Sequence, residues 1–307
     1  MSNVPNRCPL TAVEAIDTIE KLAGLFPAYR RAHAKGIGFD AKFSPNGCAA
    51  PYTTASHLLH QDTSAIVRFS HSTSNPNPTE QLVSVKGMAV QFQLPEGKVT
   101  NLTMVTIPVF ITKTPEEFIQ LLQLFTSDKR LFSQKLSTLK NNPNFHAAFT
   151  ILKNIIPPKS FGTGHYYSIH AYYLINDQKQ QQAVKFEWEP IVESKNQTEN
   201  TSLFTNRNAL EDDLLNRLKD GPVRFKLLIQ LAQPGDSIDD STQKWPDTRE
   251  KICIGTLSIL GRRADNAESQ VFDPTIVPDG ILCSDDPVLH FRAKAYAESA
   301  KRRQNSL

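Results

Sequence analysis

An α+β fold, an antiparallel β-barrel with helices packed around it, is what the order of elements along this chain predicts. At least seven β-branched or aromatic runs follow one another with turn residues between them, rather than alternating one by one with helices as βαβ units do. Three or four amphipathic stretches stand outside those runs. No shift of composition marks an internal boundary within the 307 residues. Residues 1–307 are therefore expected to form one domain, with a helix over 11–26, a barrel over about 33–260 and a terminal helix over about 286–304.

Thr11 and Glu14 have capping-box spacing ahead of Ile16, Ile19, Leu22, Ala23 and Phe26, which share one helical face, and Pro27 stops the helix. Strands are expected over Ala65–Phe69, Leu82–Leu94 and Leu102–Ile111, the last two joined as a hairpin through Pro95-Glu96-Gly97. Thr114, Pro115 and Glu117 supply an N-cap, a first-turn proline and a capping-box acid. The helix they open carries Phe118, Leu121, Leu122 and Phe125 at i, i+3, i+4 and i+7. Further strands are expected at His165–Ile175 and Ala183–Trp188, joined by the polar turn Asn176-Asp177-Gln178. In the second, either Val184, Phe186 and Trp188 or the face of Lys185 and Glu187 packs inward. Asn208 and Glu211 bracket a helix start, Val223–Ala232 and Ile252–Ile259 read as strands, and Asp285 or Asp286 opens the last helix with Pro287 at its first position.

Hydrophobic residues make up 39% and charged residues 21%, ordinary for a globular protein, and a net charge of +3 carries no nucleic-acid signature. No run approaches the roughly 20 apolar residues that span a bilayer. Met1–Leu10 is polar and lacks a secretory core, so a cytoplasmic location is expected. Cys8, Cys48, Cys253 and Cys283 form no C-x-x-C pair and read as free thiols.

At 100° per residue, Arg292, Tyr296 and Arg303 fall at about 0°, 40° and 20° on the terminal helix. One stripe thus carries a phenol flanked by two guanidiniums. A guanidinium one turn from a phenol favours the anionic form, a hard ligand suited to ferric iron; tyrosine-ligated haem, as in catalase, is an established instance of that chemistry. Taken alone, the stripe reads rather as a packed tyrosine with solvated arginines. Arg68 is harder to place innocently, because a guanidinium inside an apolar strand needs an anion.

Four separated segments then combine in one order: Arg30-Arg31-Ala32-His33-Ala34-Lys35-Gly36, Val67-Arg68-Phe69-Ser70, Lys86-Gly87-Met88-Ala89-Val90-Gln91-Phe92, and Ser284-Asp285-Asp286-Pro287 followed by Arg292, Tyr296 and Arg302-Arg303. Together they resemble the catalase superfamily, most closely its short catalase-related peroxidases, from about residue 10 to 303. The resemblance implies a catalase-like haem-binding fold and haem b as cofactor. It implies His33 as distal acid and base, Ser70 holding the other ring nitrogen of His33, Tyr296 as axial ligand of the iron and Arg292 keeping it anionic. It further implies Arg30, Arg68 and Arg303 as partners of the haem propionates, and Phe118, ten residues after Pro108, as a ring stacked on the porphyrin. His57, His60, His165, His170 and His290 are read as structural.

The chain departs from the large catalases where they carry N-N-T-P: Val105-Thr106-Ile107-Pro108 stands there, and Val105 cannot donate a hydrogen bond. Thr106 should point to the opposite face of the strand. The expected function is therefore a haem peroxidase acting on hydrogen peroxide or organic hydroperoxides, with weak catalase activity. The alternatives are a fatty-acid hydroperoxide isomerase or lyase of the allene-oxide-synthase type, and a non-enzymatic haem-binding protein. The partners implied are a hydroperoxide and a small electron donor, with a homo-oligomer compatible and no nucleic acid or integral membrane segment.

Overall fold

Alternating apolar residues build a closed sheet in the computed structural model, which describes residues 9–78, 83, 85–125, 150, 155–192 and 208–305. The strands are β1 (Gly36–Pro45), β2 (Thr63–His71), β3 (Lys86–Gln93), β4 (Val99–Val105), β5 (Tyr166–Tyr167), β6 (Tyr172–Ile175), β7 (Gln181–Ile191), β8 (Val223–Leu231), β9 (Lys251–Arg262) and β10 (Ile281–Cys283). The helices are α1 (Ala12–Ala23), α2 (Pro115–Phe125), α3 (Ala209–Asp220) and α4 (Pro287–Gln304). All strand pairs are antiparallel, and β7 bonds to both β5 and β8, which closes eight strands in the order β7-β5-β4-β3-β2-β1-β9-β8. Strands β6 and β10 extend the sheet beyond the barrel, on the free part of β7.

Period-two alternation fills the interior. Phe39, Phe43, Val67, Phe69, Val90, Phe92, Phe186, Trp188, Phe225 and Leu257 are at most 1% exposed. Several rings meet edge to face, Phe43 with Trp188 at 6.1 Å and Phe39 with Phe69 at 5.9 Å. Such pairs add about 1 kcal/mol beyond area burial.

The antiparallel barrel with surrounding helices matches the sequence expectation, and the element bounds differ for physical reasons. The capping box at Thr11 and Glu14 is present, but α1 stops at Ala23 because Gly24 adopts φ 91°. Strand β1 is absent from the expected list although Ile37, Phe39, Ala41 and Phe43 alternate cleanly; its glycines disguise it. The expected strand to Ile111 ends at Val105, ahead of Pro108, which has no N–H to donate. The start expected at Leu82 lies outside the described residues.

The run His165–Ile175 is two strands, because Ser168 inserts its side chain into the ladder: its Oγ donates to His170 O at 2.7 Å and accepts from Phe186 N at 2.9 Å. On β7 both faces are buried. Lys185 lies 5.2 Å from the Trp245 ring centre and donates to Gln243 O, while Glu187 takes His165 and Lys251. Asn208 sits at the N-cap of α3 without capping it; its side-chain oxygen accepts from Lys35 instead. Asp286, not Asp285, caps α4, accepting from Val288 N and Leu289 N. Among the described residues no helix is long and apolar enough to cross a membrane.

Three buried histidines make the fold acid-sensitive. Burial pushes His33 down to about 3, and His57 and His170 down to about 4, from an ordinary 6.5. A depressed histidine leaves the unfolded chain binding more protons below about pH 6.5, so stability is full above that value and is lost as pH falls towards 4. The thermal midpoint is expected to be level above pH 7 and to fall by several degrees between pH 6.5 and 5. A midpoint unchanged down to pH 5 would contradict the neutral buried state of these rings.

Candidate active site

Two cross-strand rows on the outer face of β1–β4 form a floor. One runs Gly38, Arg68, Ala89, Thr103 and the next Gly36, Ser70, Gly87, Val105. Small residues keep this floor low where others must approach. A Cβ on Gly36 would lie 2.4 Å from the Arg68 guanidinium carbon, and one on Gly87 would lie 2.8 Å from both His33 Nδ1 and Ser70 Oγ. Gly87→Ala should thus displace the His33 ring from Ser70 while the barrel still folds. The imidazole resonances in NMR and the circular dichroism spectrum measure the two; ring signals unchanged from wild type would contradict the close approach.

The segment around His33 and helices α1, α2 and α4 close over the floor around a cavity of about 350 Å³. All eight residues singled out in the sequence line it: Arg30, His33, Arg68 and Ser70 from the first third of the chain, Phe118 from α2, and Arg292, Tyr296 and Arg303 from α4. The walls are otherwise mostly apolar, and Phe118 packs against Phe110 with ring centres 5.3 Å apart.

His33 adopts a left-handed backbone, φ 55°, uncommon for a residue with a side chain and a mark of local strain. Its carbonyl and that of Ala34 accept from Arg68 at 3.0 and 3.2 Å. Nδ1 lies 2.9 Å from Ser70 Oγ. Burial first, then the charges of Arg68 and Arg292, hold its pKa near 3. The imidazole is therefore neutral at ordinary pH.

On α4, Arg292 Nη2 donates to Tyr296 Oη at 2.6 Å and to Thr103 Oγ1 at 3.0 Å. A guanidinium only donates, so the phenol oxygen is fixed as an acceptor there. Behind this pair, fully buried His170 Nδ1 lies 2.7 Å from Asp286 Oδ2, the same carboxylate that caps α4. His170, read as structural, thus anchors the helix that carries Tyr296. A histidine in an apolar run that also carries Tyr172 and Leu174 was the signal for a buried ring needing a partner.

Arg30, Arg68 and Arg303 converge at one end of the cavity. Arg68, 3% exposed, forks onto Glu268 Oε1 through Nε at 3.1 Å and Nη2 at 2.8 Å. Arg30 Nη2 donates to Ala267 O and Gln270 O, and its Nε lies 3.3 Å from Glu268 Oε2. Neither Arg30 Nε nor Glu268 Oε2 has a hydrogen bond among the described residues. Burial, then the charge of Arg68, pulls Arg30 down to about 9; burial first also lowers Arg303, which makes no side-chain hydrogen bond or ion pair with the described residues. Glu268 went unnoticed in the sequence because it sits in a loop without periodicity. Thr106 does not line the cavity; its hydroxyl accepts from Lys86 N at 3.1 Å, so the polar side chain that β4 offers beside Val105 is Thr103, whose hydroxyl already accepts from Arg292.

Among the described residues no cluster of three or more His, Cys, Asp or Glu could hold a bare metal ion. One phenol on a mostly apolar cavity with guanidiniums at one end suits instead a metal carried by an acidic macrocycle.

Comparison with known proteins gives the family. The family model described as catalase matches residues 10–306. The chain is 34% identical over 299 residues to a catalase-related peroxidase of Mycolicibacterium paratuberculosis, covering 96% of this chain and 95% of that one. It is 29% identical over 305 residues to a catalase-related peroxidase of Synechococcus elongatus, covering 97% and 90%. A fungal catalase structure superposes with a TM-score of 0.77 at 19% identity, over 99% of this chain and 65% of that one. Catalase A from Saccharomyces cerevisiae gives 0.75 at 18%, over 98% and 67%. With nearly its whole length matched by the family model, and its cavity set against the same barrel, this chain belongs to the catalase family.

Proposed function

We propose that this chain is a haem b-dependent peroxidase that reduces hydrogen peroxide or organic hydroperoxides with electrons from a small donor. Family membership makes it an oxidoreductase acting on peroxide, and the relatives named catalase-related peroxidase favour the peroxidase branch. The observation that supports the finer reading is that His33 with Ser70 and Tyr296 with Arg292 share one cavity although more than 220 residues separate the two pairs in sequence.

The residues present fit haem. Tyr296 Oη would hold the iron, the ring of Phe118 would pack on the macrocycle, and Arg30 and Arg303, with donors unmet at the cavity end, would take the propionates. When bound, the haem supplies the iron at which the O–O bond of the peroxide is reduced. With Nδ1–H donating to Ser70 Oγ, His33 keeps Nε2 free to accept the hydroperoxide proton and return it to the departing oxygen. The arginines around it, by disfavouring the imidazolium, make the return easy. Arg292, itself anchored on Thr103, fixes the phenol oxygen as an acceptor.

Weak catalase activity follows from Val105. It stands beside Gly87 on the floor and offers no donor to orient a second hydrogen peroxide. The test is turnover of cumene hydroperoxide by the haem-loaded protein with a phenolic donor, against oxygen release from hydrogen peroxide. Donor oxidation well above oxygen release supports the peroxidase. Rearrangement of a fatty-acid hydroperoxide without any donor, and no donor oxidation, would favour the isomerase or lyase instead.

A further inference from the structure

The arginine cluster is already partly neutralised from within. Glu268 occupies the fork of Arg68 with one carboxylate oxygen, and that fork is then saturated, since Arg68 also donates to His33 O and Ala34 O. Its other oxygen faces Arg30 Nε at 3.3 Å without a hydrogen bond. Two guanidiniums thus meet one carboxylate, which is held tightly by Arg68 and loosely by Arg30, while Arg303 lines the same cavity without pairing to it.

The loop that carries Glu268 is pinned through its backbone independently of that side chain. Arg30 Nη2 holds the carbonyls of Ala267 and Gln270, and Asp265 accepts from Ala267 N and, through its carbonyl, from Glu268 N. Asn266 and Ala267 both take left-handed φ, 48° and 55°, and their backbone packs so close to Gly38 that a Cβ there would lie 2.5 Å from Asn266 C. The side chain of Glu268 is nonetheless 37% exposed. It can rotate towards solvent while the loop stays in place.

We propose that Glu268 is an internal counter-ion that stands in for a ligand carboxylate: it holds the Arg68 fork in the haem-free protein and yields it when an acidic ligand enters the cavity. The haem arm of this inference rests on the function proposed above; the counter-ion itself does not. Glu268 then stabilises the empty protein and competes with the incoming carboxylate, so its loss has opposite effects on the two states. A residue that merely shaped the site would weaken both.

The test uses the full-length chain in two arms. In the first, haem is titrated into wild type and Glu268→Gln and followed by absorbance. The variant is expected to bind haem about tenfold more tightly, the equivalent of one charge-assisted hydrogen bond no longer exchanged, and haem dimethyl ester should show no such gain. In the second, Glu268→Ala without haem is expected to unfold at a lower temperature than wild type and to be restored by sodium propionate, which leaves wild type unaffected. Equal or weaker haem binding by Glu268→Gln, or no rescue of Glu268→Ala by propionate, would overturn the counter-ion. If haem binds neither protein, the haem reading fails and the propionate arm alone decides the role of Glu268.

Discussion

Tyr296→Phe is expected to strip the protein of its hold on haem. The phenol oxygen is the one protein atom assigned to the iron, so its removal should exceed the roughly 10–100-fold loss of affinity that follows removal of an outer partner of a metal ligand. The apolar ring remains, Arg292 keeps its hydrogen bond to Thr103, and Asp286 still caps α4, so the helix should stay in place. Transfer of haem to apomyoglobin measures the release rate, and far-ultraviolet circular dichroism measures the fold. Rapid transfer from a folded variant is the expected result. Release as slow as from wild type would remove Tyr296 from the iron.

His33→Ala should do the reverse, keeping haem and losing the chemistry. His33 touches neither Tyr296 nor the arginine fork through its side chain; only its backbone carbonyl meets Arg68, and alanine retains that carbonyl. Losing the proton acceptor should slow the reaction with peroxide by about 10²–10⁴-fold. Because His33 is held near 3, the wild-type rate should be level from about pH 5 upwards, with no inflection near 6.5 where an ordinary histidine titrates. Stopped-flow absorbance across pH reads both quantities. A rate that falls on acidification with a midpoint near 6.5 would show the imidazole charging in place and contradict its electrostatics.

The barrel was legible where its strands alternate without interruption, as Val67 with Phe69 does; β1, with Phe39 and Phe43, escaped behind its glycines, and on β7 period alone left open whether Phe186 and Trp188 or Lys185 and Glu187 point inward. The cavity was legible only as chemistry out of place. Arg68 in an apolar strand and a phenol between guanidiniums on α4 each demanded an explanation that solvent exposure could not give, and the structure sets both against the same space. Gly36 and Gly87 carried part of that message, since the fork and the imidazole occupy the space their side chains would fill.

What the sequence concealed is what loops and irregular backbone contribute. Glu268 reaches Arg68 across 200 positions from a turn built on two left-handed residues, and no periodicity marks it. The Ser168 insertion that splits the expected strand, and so sets His170 against Asp286, depends on a side chain replacing a backbone group in the ladder. Long-range polar pairs of this kind are selected by tertiary packing, and local pattern says nothing about them.

Titration of the purified chain with haem, followed in the Soret region, bears most directly on whether residues near the two ends of the sequence grip one porphyrin. A shifted, sharpened band that saturates at one haem per chain is the expected result. A titration that never saturates, with a spectrum indistinguishable from haem free in the same buffer, would contradict it.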